Sequence, residues 1–99
     1  MAWKLISIEK SSKPDKKWVA EFFDSTTMRT KHRHFGQKGA DDFTITGDVD
    51  QRTRYRARHK KDLDTTDPTK AGVLAWYVLW GEHKSISANV RAYKNKFKV

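Results

Sequence analysis

A chain of 99 residues, 36% hydrophobic and 12% aromatic, can bury one core and is too aromatic for a disordered tail. Its formal net charge of +9, with 33% of residues charged, suits a polyanionic partner: nucleic acid, an acidic protein surface or anionic lipid. The absence of cysteine excludes disulfides, thiolate metal sites and cysteine nucleophiles, and makes a reducing compartment the default.

One domain, residues 1–99, is expected. The N-terminal apolar run is too short for a signal peptide, and no stretch is long enough to span a membrane. Residues 3–8 alternate loosely and end at the turn signature Ser11-Ser12-Lys13-Pro14-Asp15. Residues 17–24 form the next expected strand, with Trp18, Ala20 and Phe22 on one face and Val19, Glu21 and Phe23 on the other. After the short loop Ser25-Thr26-Thr27, residues 28–35 alternate again. Period two places Arg29, Lys31 and Arg33 on one face and Met28, Thr30, His32 and His34 on the opposite one. Three short strands joined by tight polar turns imply an antiparallel meander.

Residues 36–42 read as a loop and Phe43-Thr44-Ile45-Thr46 as a short extended piece. Asp48 can cap a helix over about 48–60, whose acids sit in the first turn and bases thereafter, as the helix dipole favours. A second helix is expected over about 68–80, with Asp67 as its cap, Pro68 in the first helical position and Gly81 as its end. Its apolar residues surround the wheel, and at about 1.5 Å per residue it spans roughly 18 Å, which makes it a core helix. Ser85 can cap a last helix over about 85–96, with Ile86, Val90, Tyr93 and Phe97 on one face and Arg91, Lys94, Lys96 and Lys98 on another. The order predicts an α+β fold with three helices packed on one face of the meander.

The first candidate surface is the basic helix. Arg54, Arg58 and Lys61 line one side of it; Arg52, Arg56 and His59 line another near Tyr55, and Lys60 adds a further charge. The planar guanidinium fork matches phosphate or carboxylate, and arginine stems can equally cover a core. Arg29, Lys31 and Arg33 form a second patch, which with Lys38 and the glycines Gly36 and Gly39 could line an anion groove. His32 and His34 share a strand face but lack the further ligands a metal needs. Asp41, Asp42 and Asp48 have no spacing that forces convergence, and no serine lies on a nucleophile elbow. No catalytic residue, metal site or cofactor is expected. Trp76 and Trp80 are four apart on the core helix and are expected to stack in the core, with Trp3 and Trp18 covering the sheet.

The blocks HFGQKGADDFT, RYRARHKK, DPTKAGVLAWYVLWG and SISANVRAYKNKF together resemble a small domain family encoded by large double-stranded DNA viruses. The family pattern runs HFG-x-x-G, R-Y-x-x-R-H, D-P-T-x-A-G, a Trp-Leu-Trp helix and Y-K-x-x-F. The chain departs from it at Ala75 and at Gly81-Glu82. The resemblance covers about two thirds of the chain. It implies the setting of a virion assembled in the host cytoplasm or nucleus, and no catalytic residue. A minor capsid component bridging larger capsid subunits, or a packaged DNA-binding protein, is then expected. A second likeness is to the WGR domain, which binds DNA ends. The corresponding turn here, Phe35-Gly36-Gln37-Lys38-Gly39, lacks that family's tryptophan and its arginine after glycine.

The expected function is therefore a non-enzymatic, basic virion protein acting within an oligomeric assembly, with an arginine-rich nucleic-acid module as the alternative. The expected contact surface is Arg29, Lys31, Arg33, Lys38, Arg52, Arg54, Arg56, Arg58, Lys60 and Lys61.

Overall fold

The alternating segments form strands β1 (Trp3–Lys10), β2 (Lys16–Asp24) and β3 (Arg29–Gln37). They make an antiparallel meander in the order β1-β2-β3, in a computed structural model that describes residues 3–99. Each strand reaches a residue or two past an expected end, whereas Met28, expected to open β3, lies in the turn with φ 58°. Ala20 and Phe22 are fully buried, pairing with Ile8 and Leu5 on one side and with Arg33 and Lys31 on the other. Leu5 and Ile8 are three apart and could not share a face in a regular strand. A shift of register between Leu5 and Ser7 puts both on the inner face and leaves Ile6 exposed.

Phe43–Thr46, expected to be extended, is instead one helical turn, α1. Asp42 Oδ1 accepts from the Thr44 N–H at 2.9 Å, and Gly47 closes the turn with φ 65° by donating to the Phe43 carbonyl. Both caps act locally, and the buried Phe43 ring holds the turn down. They override the strand preference of the two threonines and the isoleucine. Helix α2 (Val49–His59) begins as expected, with Asp48 accepting from the Gln51 N–H at 3.1 Å, and runs into a 3-10 turn over Lys60–Leu63.

The core helix differs most from expectation. It starts at Ala71, not Pro68, and after one α turn (α3, Ala71–Leu74) widens into a π turn over Ala75–Leu79, with Trp80 N–H donating to the Ala75 carbonyl at 3.1 Å. Asp67 caps a turn rather than a helix: its Oδ1 accepts the Thr69 N–H (2.9 Å) and hydroxyl (2.6 Å). Gly81 is required for space rather than for a left-handed helix end. A Cβ there would lie 2.3 Å from the Tyr77 carbonyl oxygen and 2.7 Å from Asn89 Oδ1. Val73, Leu74, Val78, Leu79 and Trp80 are buried, while Trp76 and Tyr77 are half-buried.

Helix α4 (Ile86–Phe97) is capped by Ser85, which accepts from the Ala88 N–H at 3.2 Å. Tyr93 is fully buried on the expected face and donates to the Pro68 carbonyl at 2.6 Å. The core lies between the inner sheet face (Leu5, Phe22, Phe35) and the packed helices (Leu74, Val78, Tyr93). Among the described residues no helix is long and apolar enough to cross a membrane.

Candidate nucleic-acid interface

Helix α2 buries no residue completely, and its half-buried positions, Gln51, Arg52, Tyr55, Arg56 and His59, make one stripe at helical spacing. That stripe divides its bases into two sets. Arg52 donates to the Gly81 carbonyl at 3.2 Å and lies 4.4 Å over the Phe43 ring. Arg56 donates twice to the Trp80 carbonyl, at 3.1 and 2.8 Å, and once to Glu82 Oε1 at 3.0 Å. These two guanidinium groups satisfy the Trp80 and Gly81 carbonyls, just past the end of the core helix, where the chain supplies no intrahelical partner. They are structural, contrary to their inclusion in the expected contact surface.

The second set faces solvent. Arg54, Arg58, Lys60 and Lys61 are exposed and form no ion pair among the described residues. Arg54, Arg58 and Lys61, at i, i+4 and i+7, follow one side of α2 and its continuation.

The expected patch on β3 is mostly internal. Arg33 and Lys31 pair with Ala20 and Phe22 on the inner face, so their side chains point toward the helices. Arg33 Nε donates to the Thr69 carbonyl at 2.9 Å, and Lys31 Nζ donates to Thr69 Oγ1 at 3.0 Å and sits 4.5 Å over the Trp3 ring. Arg29 remains exposed at the strand's start, and Lys38 lies exposed beyond its end. The glycine loop is no anion cradle either. The Lys38 N–H donates to Asp15, the Ala40 N–H donates to Gln37, and Gly36 (φ 79°) faces Leu79.

What the sequence did not show is a column of rings. Tyr55 is stacked between His59 (centroids 4.2 Å apart, 20° between planes) and Trp80 (4.3 Å, 8°), with Trp76 tilted at 6.5 Å. Trp76 and Trp80, expected to stack along one side of the core helix, both meet Tyr55 of α2. His59 Nδ1 is 3.0 Å from Asp62 Oδ2, which fixes the ring. Burial, with the nearby Asp62 carboxylate, pushes the Tyr55 phenol up to about 12. The column flanks a groove of about 450 Å³ between α2, the core helix and the end of the sheet, with Arg58 on its wall. The i, i+4 spacing of Tyr55 and His59 carried the signal for half of this column. Trp80 joins from a distant segment, and no local spacing reveals that.

Other candidate groups stay apart. His32 meets Glu21 at 3.0 Å and His34 meets Ser11 at 2.7 Å. Asp42 pairs with Lys17 at 2.7 Å while capping α1, and Asp48 caps α2, so the carboxylates do not converge. No cluster of three or more His, Asp or Glu side chains suited to a metal occurs among the described residues.

The sequence profile of a family of unknown function, DUF5754, matches residues 6–59, more than half the chain. The chain belongs to DUF5754. The DUF5754 match takes in most of the meander, α1 and α2, so Arg54, Tyr55, Arg58 and His59 fall inside it and Trp80 outside. No curated protein and no solved structure matches the chain.

Proposed function

We propose that the chain is a non-enzymatic nucleic-acid-binding module that contacts the phosphate backbone through Arg54, Arg58, Lys60 and Lys61. The division of α2 carries this reading. Two arginines are used up in the fold, whereas four neighbouring bases on α2 and the turn that continues it have no acidic partner among the described residues. Rows of unpaired cations are what backbone contact to a regular polyanion needs, and such contact carries no base preference. Replacing Arg54 and Arg58 together by alanine should weaken binding to unrelated duplexes by a similar factor, measured by fluorescence anisotropy. Sequence-dependent losses would count against backbone contact.

A second reading is a minor capsid component of a large DNA virus, bridging larger subunits within the virion. The resemblance supports it, and so does exposed apolar surface: Val19 and Phe23 are only half-covered on the sheet face away from the helices, and Ile6 in β1 and Met28 in the turn before β3 are exposed. Apolar side chains there serve a protein partner and not a phosphate. Under this reading the chain is retained, at fixed stoichiometry, in particles emptied of DNA. Its complete loss with the genome would leave only the first reading.

A further inference from the structure

The inner face of the sheet is longer than the helices that cover it. Along the row Lys10–Trp18–Phe35, Phe35 is buried and Trp18 only half-covered. Beyond Trp18, between the sheet's end and α1, lies a concavity of about 340 Å³, within the size range of small-ligand sites. Its walls bring lysines from three separate places: Lys10 ends β1, Lys16 and Lys17 open β2, and Lys38 follows β3. The Ser11 N–H bond to the Lys17 carbonyl and the Lys38 N–H bond to the Asp15 carbonyl, both 3.0 Å, hold these segments together.

The charge is not balanced from within. Among the described residues Asp42 is the one carboxylate lining the concavity, and it is already engaged by Lys17 at 2.7 Å and by the Thr44 N–H at 2.9 Å. Lys10, Lys16 and Lys38 form no ion pair among the described residues. Three ammonium groups held around one hollow repel each other, and a bound anion would relieve that repulsion. Trp18 supplies a different chemistry. Among the described residues its indole takes part in no ring stack and lies under no cation, unlike Trp3, Trp76 and Trp80. Ile45, 56% exposed, forms an apolar lip opposite.

We infer that this concavity is a nucleotide site, taking an aromatic base against Trp18 and its phosphate among Lys10, Lys16 and Lys38. The inference does not rest on the α2 surface. The same chemistry could be presented by a free mononucleotide or by the unpaired terminal nucleotide of a strand.

Calorimetric titration of the full chain with adenosine 5′-monophosphate, ribose 5-phosphate and inorganic phosphate separates the two contributions. The base should tighten binding about tenfold over ribose 5-phosphate, the size expected of one base stacked on an aromatic ring. Trp18→Leu should remove that difference, and Lys16→Ala with Lys38→Ala should weaken the mononucleotide about tenfold or more, while Arg91→Ala, at an exposed position of α4, leaves it unchanged. The lysine variant alters partly or fully exposed residues, so it remains informative even where Trp18→Leu fails to fold. A duplex with a single-stranded overhang that displaces the mononucleotide, where a blunt duplex does not, identifies a strand end as the source. Failure of the overhang to displace it identifies the free nucleotide. Equal affinity for all three small probes, or mononucleotide binding unchanged in the lysine variant, would overturn the site. Either result leaves duplex binding through α2 to be judged separately.

Discussion

Arg54 and Arg56 are two residues apart on the same helix and sit in opposite settings, one exposed and one tied into the fold. Arg56 places its guanidinium on the Trp80 carbonyl, and its loss would strand that oxygen and cut the tie between α2 and the core helix. Arg56→Ala should destabilise the fold by about 2 kcal/mol, the scale of hydrogen bonds to charged groups. Arg54→Ala, altering an exposed side chain, should stay within about 0.5 kcal/mol. Urea unfolding of the two variants measures both, and equal effects would remove the distinction between anchored and free bases. Gly36 offers a second test at this scale. With φ 79°, and with Leu79 Cδ1 only 2.8 Å from where a Cβ would stand, Gly36→Ala meets both backbone strain and a clash. A loss of about 1–3 kcal/mol is expected in the same assay.

At the scale of elements, the turn before the core helix is a junction that ties β3 to α4. Thr69 is fully buried; its hydroxyl donates to Asp67 and accepts from Lys31, and its carbonyl accepts from Arg33, while the adjacent Pro68 carbonyl receives Tyr93. Thr69→Val keeps the shape and removes the hydroxyl, leaving Lys31 and Asp67 each short of a partner. It should cost about 1–3 kcal/mol, seen as a lower urea midpoint with the slope unchanged. Asn89 plays the same part at the helix's other end, donating to the Val78 and His83 carbonyls at 2.9 and 2.7 Å and accepting from the His83 N–H at 2.9 Å.

These junctions mark what the sequence could reveal. The period-two pattern of β2, the Asp48 and Ser85 caps and the Tyr93 face were legible because each depends on residues within a few positions of one another. The one-turn helix α1 was missed because its β-branched residues suggest a strand, and its two caps outweigh them. The start of the core helix was misplaced for a related reason: Asp67 and Pro68 fit a helix cap and a tight turn equally well. Only the distant Arg33, Lys31 and Tyr93 select the turn. The candidate surface was legible as charge but not as orientation. Arg29, Lys31 and Arg33 share a face, but alternation alone does not say which face the helices cover.

Across the whole molecule, the basic excess falls into anchored and free cations, and acid should expose the difference. Burial tends to raise the Asp67 carboxyl, but the two bonds from Thr69 and the nearby Lys31 and Arg33 charges outweigh it and hold the pKa below its usual value. The bond and charge of Arg56 likewise hold Glu82 below the usual carboxylate range. A carboxyl whose folded pKa lies below its unfolded one adds stability above the unfolded value, about 4. That stability disappears as pH falls through the folded value. The melting temperature should therefore drop on acidification below about pH 4, and Asp67→Asn should flatten that limb while lowering the neutral plateau. An acid limb identical in Asp67→Asn would mean the turn carries no such linkage.

The free cations are tested most directly by the salt dependence of duplex DNA binding. Four phosphate contacts by Arg54, Arg58, Lys60 and Lys61 predict that log affinity falls against log salt with a slope of roughly 3–4, at about 0.9 per contact. The Arg54→Ala, Arg58→Ala double variant should reduce that slope by about 2 with its melting temperature unchanged. An affinity that hardly changes between low and moderate salt, or a slope unaltered in the double variant, would contradict the assignment of this face to nucleic acid.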